Sequence, residues 1–213
     1  MISIFFTLEA ILLVTALSID AFVASFAYGT NKIKIPLSST VIISAVCSTI
    51  LAISLVIGAL LSQYIDSSLT KAICFVIMFL LGTIKLFDCS IKALIRKNKN
   101  FSKEYKFSLF NLNFILNVYA DPEKADIDKS RNLSALESVS LAIALSLDGA
   151  IAGFGAGLSN NYLIETVLIS FIVGVLFIMA GHHLGNQIAK KIPFDISWIS
   201  GLFLIVLAFI KLF

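Results

Sequence analysis

Long runs of hydrophobic residues, separated by short polar stretches, dominate the chain. Residues 37–65 contain no charged side chain, and the residues between Glu165 and Lys190 form a second uncharged run. A helix needs roughly 20 consecutive apolar residues to cross a bilayer. Charged residues, Pro36 and short polar breaks divide the chain into six segments of about that length. The pattern predicts membrane-spanning helices at residues 5–29, 38–64, 70–90, 134–158, 162–187 and 196–213.

The composition agrees with this interpretation. Hydrophobic residues make up 59% of the 213 positions and charged residues only 14%. Soluble domains contain about 45 to 50% apolar residues and about 25% charged ones. We therefore expect an all-α integral membrane protein, with the lipid bilayer as its surroundings.

Lysine and arginine are concentrated on one side of the predicted helices. The loops after the first, third and fifth helices hold fourteen of the sixteen, including Lys85 near the end of the third helix. Loops rich in these residues face the cytoplasm in multi-pass proteins. We expect these loops, including the long segment 91–133, to be cytoplasmic and both termini to face outside. The basic run at residues 92–100 then contacts anionic lipid, and nucleic acid is not an expected partner.

The chain contains an internal repeat centred on its intramembrane aspartates. A shift of 128 residues places residues 9–29 over residues 137–157, with nine of twenty-one positions identical, and Asp20 thereby matches Asp148. Each copy has an odd number of predicted crossings, so the second copy is inserted upside down. This is the inverted-repeat plan of many secondary transporters, whose substrate sites lie between the halves.

Weaker matches extend the repeat through the other helices of each half. Gly58-x-x-x-Ser62 aligns with Gly181-x-x-x-Gly185, and the tetrapeptide IKLF occurs in the third helix of each half, at residues 84–87 and 210–213. The chain therefore divides into a first three-helix repeat, a cytoplasmic loop and a second, inverted three-helix repeat. These parts are residues 1–90, 91–133 and 134–213.

Asp20 and Asp148 each lie within a predicted membrane helix, where a carboxylate costs roughly 2.5 to 3.5 kcal/mol on insertion scales. On a helical projection each aspartate shares its face with small residues, which allow helices to approach closely. We expect the two faces to pack together and to bring the carboxylates near each other. The alternative is a structural role, in which each aspartate only hydrogen-bonds a neighbouring helix.

Two carboxylates facing one cavity would hold at least one proton when the site is empty, and a divalent cation would displace it. The hydroxyls of Ser18 and Ser146 are matched in the repeat and would add oxygen ligands. Hard oxygen ligands suit Mn²⁺ or Mg²⁺ better than thiophilic metals. Competition between a proton and a metal for the pair is sufficient chemistry for an antiporter. The sequence contains no nucleotide-binding or catalytic-triad motif, so enzymatic activity is not expected.

The motifs ALSIDAFVASFAYG, NKIKIP and ALSLDGAIAGFGAG resemble those of the MntP-type manganese efflux family, and most closely its YtaF-type branch of sporulation membrane proteins. The resemblance implies Mn²⁺ export across the bacterial plasma membrane, with the aspartates at Asp20 and Asp148 essential. For the YtaF-type branch it implies a role linked to spore formation. The chain departs from the MntP pattern in a longer central loop and in Gly149, where alanine is usual.

The segment before the fourth predicted helix, DIDKSRNLSALE at residues 126–137, has the ligand spacing of a twelve-residue calcium loop. Arg131 occupies the sixth position, which is normally glycine. The alternative is a helix start, in which Ser134 is the N-cap and Glu137 completes a capping box. A Ca²⁺, Mg²⁺ or Mn²⁺ ion in this loop would sense the exported ion on the cytoplasmic side. Its ligands would be Asp126, Asp128, Ser130, Asn132 through its carbonyl, and Glu137.

Glu9, His182 and His183 are secondary site candidates. Glu9 shares the helix face of Asp20 and has Glu137 as its repeat partner. The two histidines lie towards the cytoplasmic end of the fifth predicted helix and align with Ala59 and Leu60, so nothing comparable occurs in the first repeat. We expect polar residues at the membrane interface there, with a ligand or proton-relay role as the alternative.

Lys85 and Lys211 match each other in the repeat and lie near predicted helix ends. The simplest expectation is that both side chains extend to the lipid headgroups. The alternative is that one of them is the counter-ion of an intramembrane aspartate.

These patterns predict a six-helix exporter of a divalent cation, with Mn²⁺ as the first candidate and protons as the exchanged ion. The metal is the substrate, and no resident cofactor is expected. The competing hypothesis is a non-transporting membrane scaffold of the sporulating cell, in which the repeat serves packing alone. A transporter needs ionisable side chains at Asp20 and Asp148, whereas a scaffold tolerates asparagine at both.

Overall fold

The computed structural model describes residues 2–87, 118, 125–126, 130–158, 163–188, 205–206 and 208–210, and it describes side chains from Ala10 onward. The described part is helical apart from short connections. It contains five long helices, which are α1 (Ile2–Thr30), α2 (Leu37–Ser62), α3 (Ser67–Leu86), α4 (Ala135–Gly157) and α5 (Leu163–Ile188).

All five helices are long and apolar enough to cross a membrane. The chain is therefore a multi-pass, all-α membrane protein, as the hydrophobic pattern predicts. The bounds of the five helices agree with the predicted bounds to within a few residues. The loop at 91–133 and the sixth predicted helix at 196–213 lie largely outside the described residues. Within the latter, Phe209 packs edge-on against Phe75 and Phe79 of α3.

Helices α1 and α5 pack closely together, and so do α2 and α4. Glycine brings the backbones into contact at both interfaces. A Cβ atom on Gly29 of α1 would overlap the carbonyl oxygen of His182 in α5, and one on Gly157 of α4 would overlap that of Leu55 in α2. Small residues provide this close approach in membrane proteins, where the hydrophobic effect does not drive helices together.

A second pair of glycine contacts corrects the expected alignment of the second helices. Gly58 lies against the carbonyl of Phe154, and Gly185 lies against the carbonyl of Phe26. Because Phe26 and Phe154 are partners in the repeat, Gly58 corresponds to Gly185 and not to Gly181. The predicted alignment was one helical turn off. A slip of four residues leaves the same helix face in place, so the small-residue pattern alone could not detect it.

The corrected alignment of the repeat also changes which residues of the first half correspond to the two histidines. With Gly58 on Gly185, His182 corresponds to Leu55 and His183 to Val56, instead of Ala59 and Leu60. The histidines still have no titratable counterpart in the first half.

The end of α1 and the start of α4 meet at one end of the bundle. The Lys34 N–H donates to the carbonyl of Arg131 at 2.9 Å, and the Leu133 N–H donates to the carbonyl of Lys34 at 3.0 Å. The hydroxyl of Ser39, at the start of α2, donates to the carbonyl of Leu133 at 2.8 Å. Since α1 reaches this end with its last residues and α4 with its first, the two helices run in opposite directions.

Candidate functional site

Three charged side chains from three helices meet inside the bundle. The ammonium of Lys85, in the last turn of α3, contacts a carboxylate oxygen of Asp20 from α1 and one of Asp148 from α4. The side chains of Asp20 and Asp148 are 14% and 11% exposed, and that of Lys85 is 5% exposed. The structure thus brings together the two aspartates that the repeat pairs in sequence. We call these three residues the charge cluster.

The small-residue faces of α1 and α4 explain how the aspartates reach the interior. Ala16 and Ala24, on the face of Asp20, are buried, and so are Ala144 and Ala152 on the face of Asp148. Methyl side chains leave room for the carboxylates between closely spaced backbones. The helical projection therefore predicts correctly which face of each helix is buried. The expectation that these two faces pack on each other is wrong, because α1 packs mainly on α5 and α4 on α2, and the two carboxylates are joined through Lys85.

The expectation that Lys85 extends to the headgroups is wrong. The residue is 4% exposed and lies between the two carboxylates, in the counter-ion position that was the alternative. The reason is electrostatic, because a buried carboxylate without a partner is far more costly than an ion pair. Lys85 also does not belong among the loop charges. Without Lys85, the loops that are predicted to be cytoplasmic still hold thirteen of the other fifteen lysines and arginines.

The charge cluster carries one net negative charge when all three groups are ionised. A proton on either aspartate would make it neutral. The expected proton on an empty carboxylate pair is therefore only part of the charge balance, because Lys85 already supplies one positive charge. The sequence could have suggested this, since Lys85 is a basic residue within the apolar run of α3.

A cavity of about 40 Å³ lies beside Asp148. A cavity needs about 10 to 15 Å³ to hold a single water, so this one has room for an ion or a few waters. Its polar lining comes from α1, α2, α4 and α5, and its remaining walls are apolar or glycine. The polar lining residues are Ser18, Ser44, Cys47, Ser146, Asp148 and Ser170.

The oxygen atoms of this cavity suit a hard cation. Ser18 and Ser146 both line it, as expected for ligand candidates, and Ser146 donates to the carbonyl of Ile143 at 3.0 Å, which leaves its lone pairs available. The buried hydroxyl of Ser44 has no hydrogen-bond partner in the described part of the chain. Sequence reasoning missed Ser44 and Ser170, because neither belongs to the repeated motif.

The histidines are bonded near the end of α5. The Nε2 atom of His182 lies 3.0 Å from the carbonyl oxygen of Ile33, and that of His183 lies 2.8 Å from the side-chain nitrogen of Gln187. The His182 contact joins α5 to the segment after α1, whereas the His183 contact lies within α5. The backbone of Glu9 is part of α1, but its side chain lies outside the described residues.

The segment before α4 contains the capping box that was the alternative to a calcium loop. The Ser134 N–H and hydroxyl donate to a carboxylate oxygen of Glu137 at 2.9 and 2.8 Å, and the Glu137 N–H donates to the Ser134 hydroxyl at 3.4 Å. Glu137 is therefore engaged at the helix start and is buried. The described residues contain no group of three or more His, Cys, Asp or Glu side chains placed to hold a metal ion.

Parts of this segment still resemble a metal-binding loop. Arg131 has a φ of 58°, the left-handed conformation for which glycine is usual, and its N–H donates to the carboxylate of Asp126 at 3.2 Å. Ser130 donates to the carbonyl of Asn132 at 3.0 Å. Asp128 lies outside the described residues, so metal binding by this loop stays a prediction.

Comparisons with known proteins agree with the motif resemblance. A family model described as "Putative manganese efflux pump" matches residues 107–212, about half of the chain, which include Asp148 but not Asp20. "Probable sporulation protein YtaF" of Bacillus subtilis (strain 168) is 29% identical over 207 residues, covering 95% of this chain and 97% of that protein. No solved structure matches the chain. The chain is thus similar to a manganese efflux family over its second half and to a sporulation protein over nearly its whole length.

Proposed function

We propose that this protein exports a divalent cation, with Mn²⁺ as the substrate, and that Asp20 and Asp148 bind the ion during transport. One observation carries the proposal. Two aspartates from separate halves of the chain meet inside the membrane-spanning bundle, beside a cavity lined with hydroxyls. Intramembrane carboxylates mark ion pathways in transporters. The protein acts as a transporter and not as an enzyme.

The proposed architecture is a six-helix bundle of two inverted three-helix repeats. The opposite directions of α1 and α4 support it, and so do the paired glycine contacts, in which Gly58 meets Phe154 as Gly185 meets Phe26. The sixth helix, at residues 196–213, completes the second repeat. The substrate site then lies between the halves, where such transporters bind their ions.

The proposed location is the bacterial plasma membrane, with both termini outside and the central loop in the cytoplasm. The lysines and arginines outside the charge cluster support this orientation. Metal bound from the cytoplasm would leave on the other side, in exchange for one or more protons taken up by the carboxylates. Mn²⁺ fits the oxygen ligands better than a thiophilic metal does, and the similarity to a family described as manganese efflux pumps supports the choice.

A second candidate function is a structural one, in the membrane of a sporulating cell. The observation that favours it is the position of Lys85 between the two aspartates. Its buried ion pairs join α1, α3 and α4, and holding these helices together would be a sufficient role for them. The relative named as a sporulation protein points in the same direction.

An experiment on cellular manganese separates the two functions. The wild type, Asp20→Asn and Asp148→Asn are expressed in a manganese-sensitive bacterium, and cell-associated metal is measured after Mn²⁺ exposure. We expect the wild type to lower cellular Mn²⁺ and both variants to lose this effect, because an amide cannot exchange a proton for a metal.

Asp66→Asn is the matched control, since Asp66 is exposed before α3 and its side chain makes no capping hydrogen bond. It should behave as the wild type does. A wild type that changes the content of no divalent metal would exclude export. Full export by both cluster variants would exclude the proposed role of the aspartates.

A further inference from the structure

We propose that Lys85 is a tethered cation, which occupies the carboxylate pair when no metal is bound and which the metal must displace. The inference rests on the proposed function, since the metal is the transported substrate. It assigns to Lys85 the control of metal affinity, a role beyond holding helices together.

The geometry of the charge cluster is that of a bridged cation site. The Lys85 ammonium contacts one oxygen from Asp20 and one from Asp148, and these residues come from different halves of the chain. A divalent ion shared by the two carboxylates would use the same lone pairs. An ammonium is a compact point charge with three donors and no acceptor, so it imitates a metal ion at such a site.

The metal ion and the Lys85 ammonium cannot occupy the carboxylate pair at the same time. A divalent ion and an ammonium between two carboxylates would leave a net positive charge in a buried site, with the two cations a few ångströms apart. Repulsion at that distance is strong where water is excluded. Metal binding therefore requires the Lys85 ammonium to leave, and metal release is favoured by its return.

The surroundings provide a place for the displaced ammonium. The side chain has four flexible methylene groups, and its residue lies in the last turn of α3, beside the C-terminal end of that helix. Helix C-termini also attract positive charge. The cavity beside Asp148 contains the buried hydroxyl of Ser44, which has no hydrogen-bond partner among the described residues.

Such a residue allows the metal-free transporter to change conformation without leaving the two carboxylates unpaired. The pair always faces a cation, which is either the substrate or the tether. The tether also limits affinity, because the metal competes with a group that is permanently attached. Removing the positive charge should therefore tighten metal binding, whereas a merely structural lysine predicts weaker binding or loss of folding.

The test measures Mn²⁺ binding to the purified full chain in lipid nanodiscs, with free Mn²⁺ quantified by electron paramagnetic resonance. Lys85→Met keeps an unbranched, flexible side chain that is one atom shorter, and it removes the charge. We expect it to bind Mn²⁺ about tenfold more tightly than the wild type, or better. Lys85→Arg should bind more weakly than the wild type, because a guanidinium holds two carboxylates in a fixed fork.

Lys71→Met is the matched control, because Lys71 is an exposed lysine of the same helix. It should leave the affinity unchanged. Equal or weaker Mn²⁺ binding by folded Lys85→Met, compared with the wild type, would overturn the proposal.

A second comparison covers the case in which Lys85→Met does not fold. The double variant Lys85→Met/Asp20→Asn has the same net charge in the cluster as the wild type. It is compared with Asp20→Asn, in which Lys85 still pairs with Asp148. We expect the double variant to bind Mn²⁺ about tenfold more tightly than the single variant, and equal affinities would overturn the proposal.

The result is separable from the test of the proposed function. Export by the wild type with no gain in affinity on removal of Lys85 would leave the function standing and remove the tether. A gain in affinity without export by the wild type would show a tethered cation in a protein that is not an exporter.

Discussion

Lys85 lies between two carboxylates that come from different helices, and its two ion pairs change the charge balance of both aspartates. Asp20 and Asp148 are no longer two acidic groups that must share a proton. They form, with Lys85, a cluster whose net charge is one negative unit when all three groups are ionised. The sequence pattern identifies the aspartates because they are repeated. It offers Lys85 only as an alternative counter-ion, because the reach of a lysine side chain cannot be read from its position near a helix end.

At the same scale, glycine positions differ sharply in how much space they have. A Cβ at Gly157 would overlap the backbone carbonyl of Leu55, whereas one at Gly149 would meet only the methyl groups of Leu17, at 3.9 and 4.0 Å. We therefore expect Gly157→Ala to destabilise the protein by about 1 to 3 kcal/mol, because α2 must move away. Gly149→Ala should be neutral or slightly stabilising, since alanine favours the helix.

Thermal unfolding in detergent compares these two variants directly. The midpoint should fall for Gly157→Ala and should not fall for Gly149→Ala. The same loss for both variants would contradict the close packing of α4 on α2.

At the scale of the elements, helix existence could be predicted far better than helix register. Long apolar runs with few charges define the five described helices, because few other structures satisfy the hydrogen bonds of a backbone in lipid. The pairing of Gly58 with Gly181 was wrong by one turn. Residues four apart on a helix share a face, so only contacts such as that between Gly185 and Phe26 distinguish the two alignments.

The start of α4 depends on the capping box of Ser134 and Glu137. Loss of an N-cap costs about 1 kcal/mol. We expect Ser134→Ala to lower the free energy of unfolding by about that amount when no divalent metal is present. Ser140→Ala is the control, because among the described residues the Ser140 hydroxyl bonds only within its own helix, to the carbonyl of Leu136 at 3.0 Å.

Chemical denaturation of the two serine variants, with and without divalent metal, tests this assignment. An unchanged stability of metal-free Ser134→Ala would contradict the capping box. A stabilising effect of metal on the wild type that is lost in Asp126→Ala would support the second site predicted in the loop.

At the scale of the whole molecule, the arrangement of the helices places the charge cluster between the two halves. Helix α1 packs on α5 and α2 packs on α4, so each half contacts the other through its first two helices. A rocking of the halves against each other would act directly on a cluster that draws Asp20 and Lys85 from one half and Asp148 from the other. The repeat predicts that the two aspartates meet, but it does not predict that α1 packs on α5 and α2 on α4. The cavity beside Asp148 could not be predicted, since Ser44 and Ser170 follow no repeated pattern.

Mn²⁺ flux into liposomes that contain the purified protein tests the central claim most directly. Flux is followed by quenching of a trapped metal-sensitive dye, and the wild type is compared with Asp20→Asn/Asp148→Asn and with Asp66→Asn. We predict Mn²⁺ flux for the wild type and for Asp66→Asn, and none above protein-free liposomes for the double variant. The absence of flux for the wild type, or equal flux for the double variant, would contradict transport through the charge cluster.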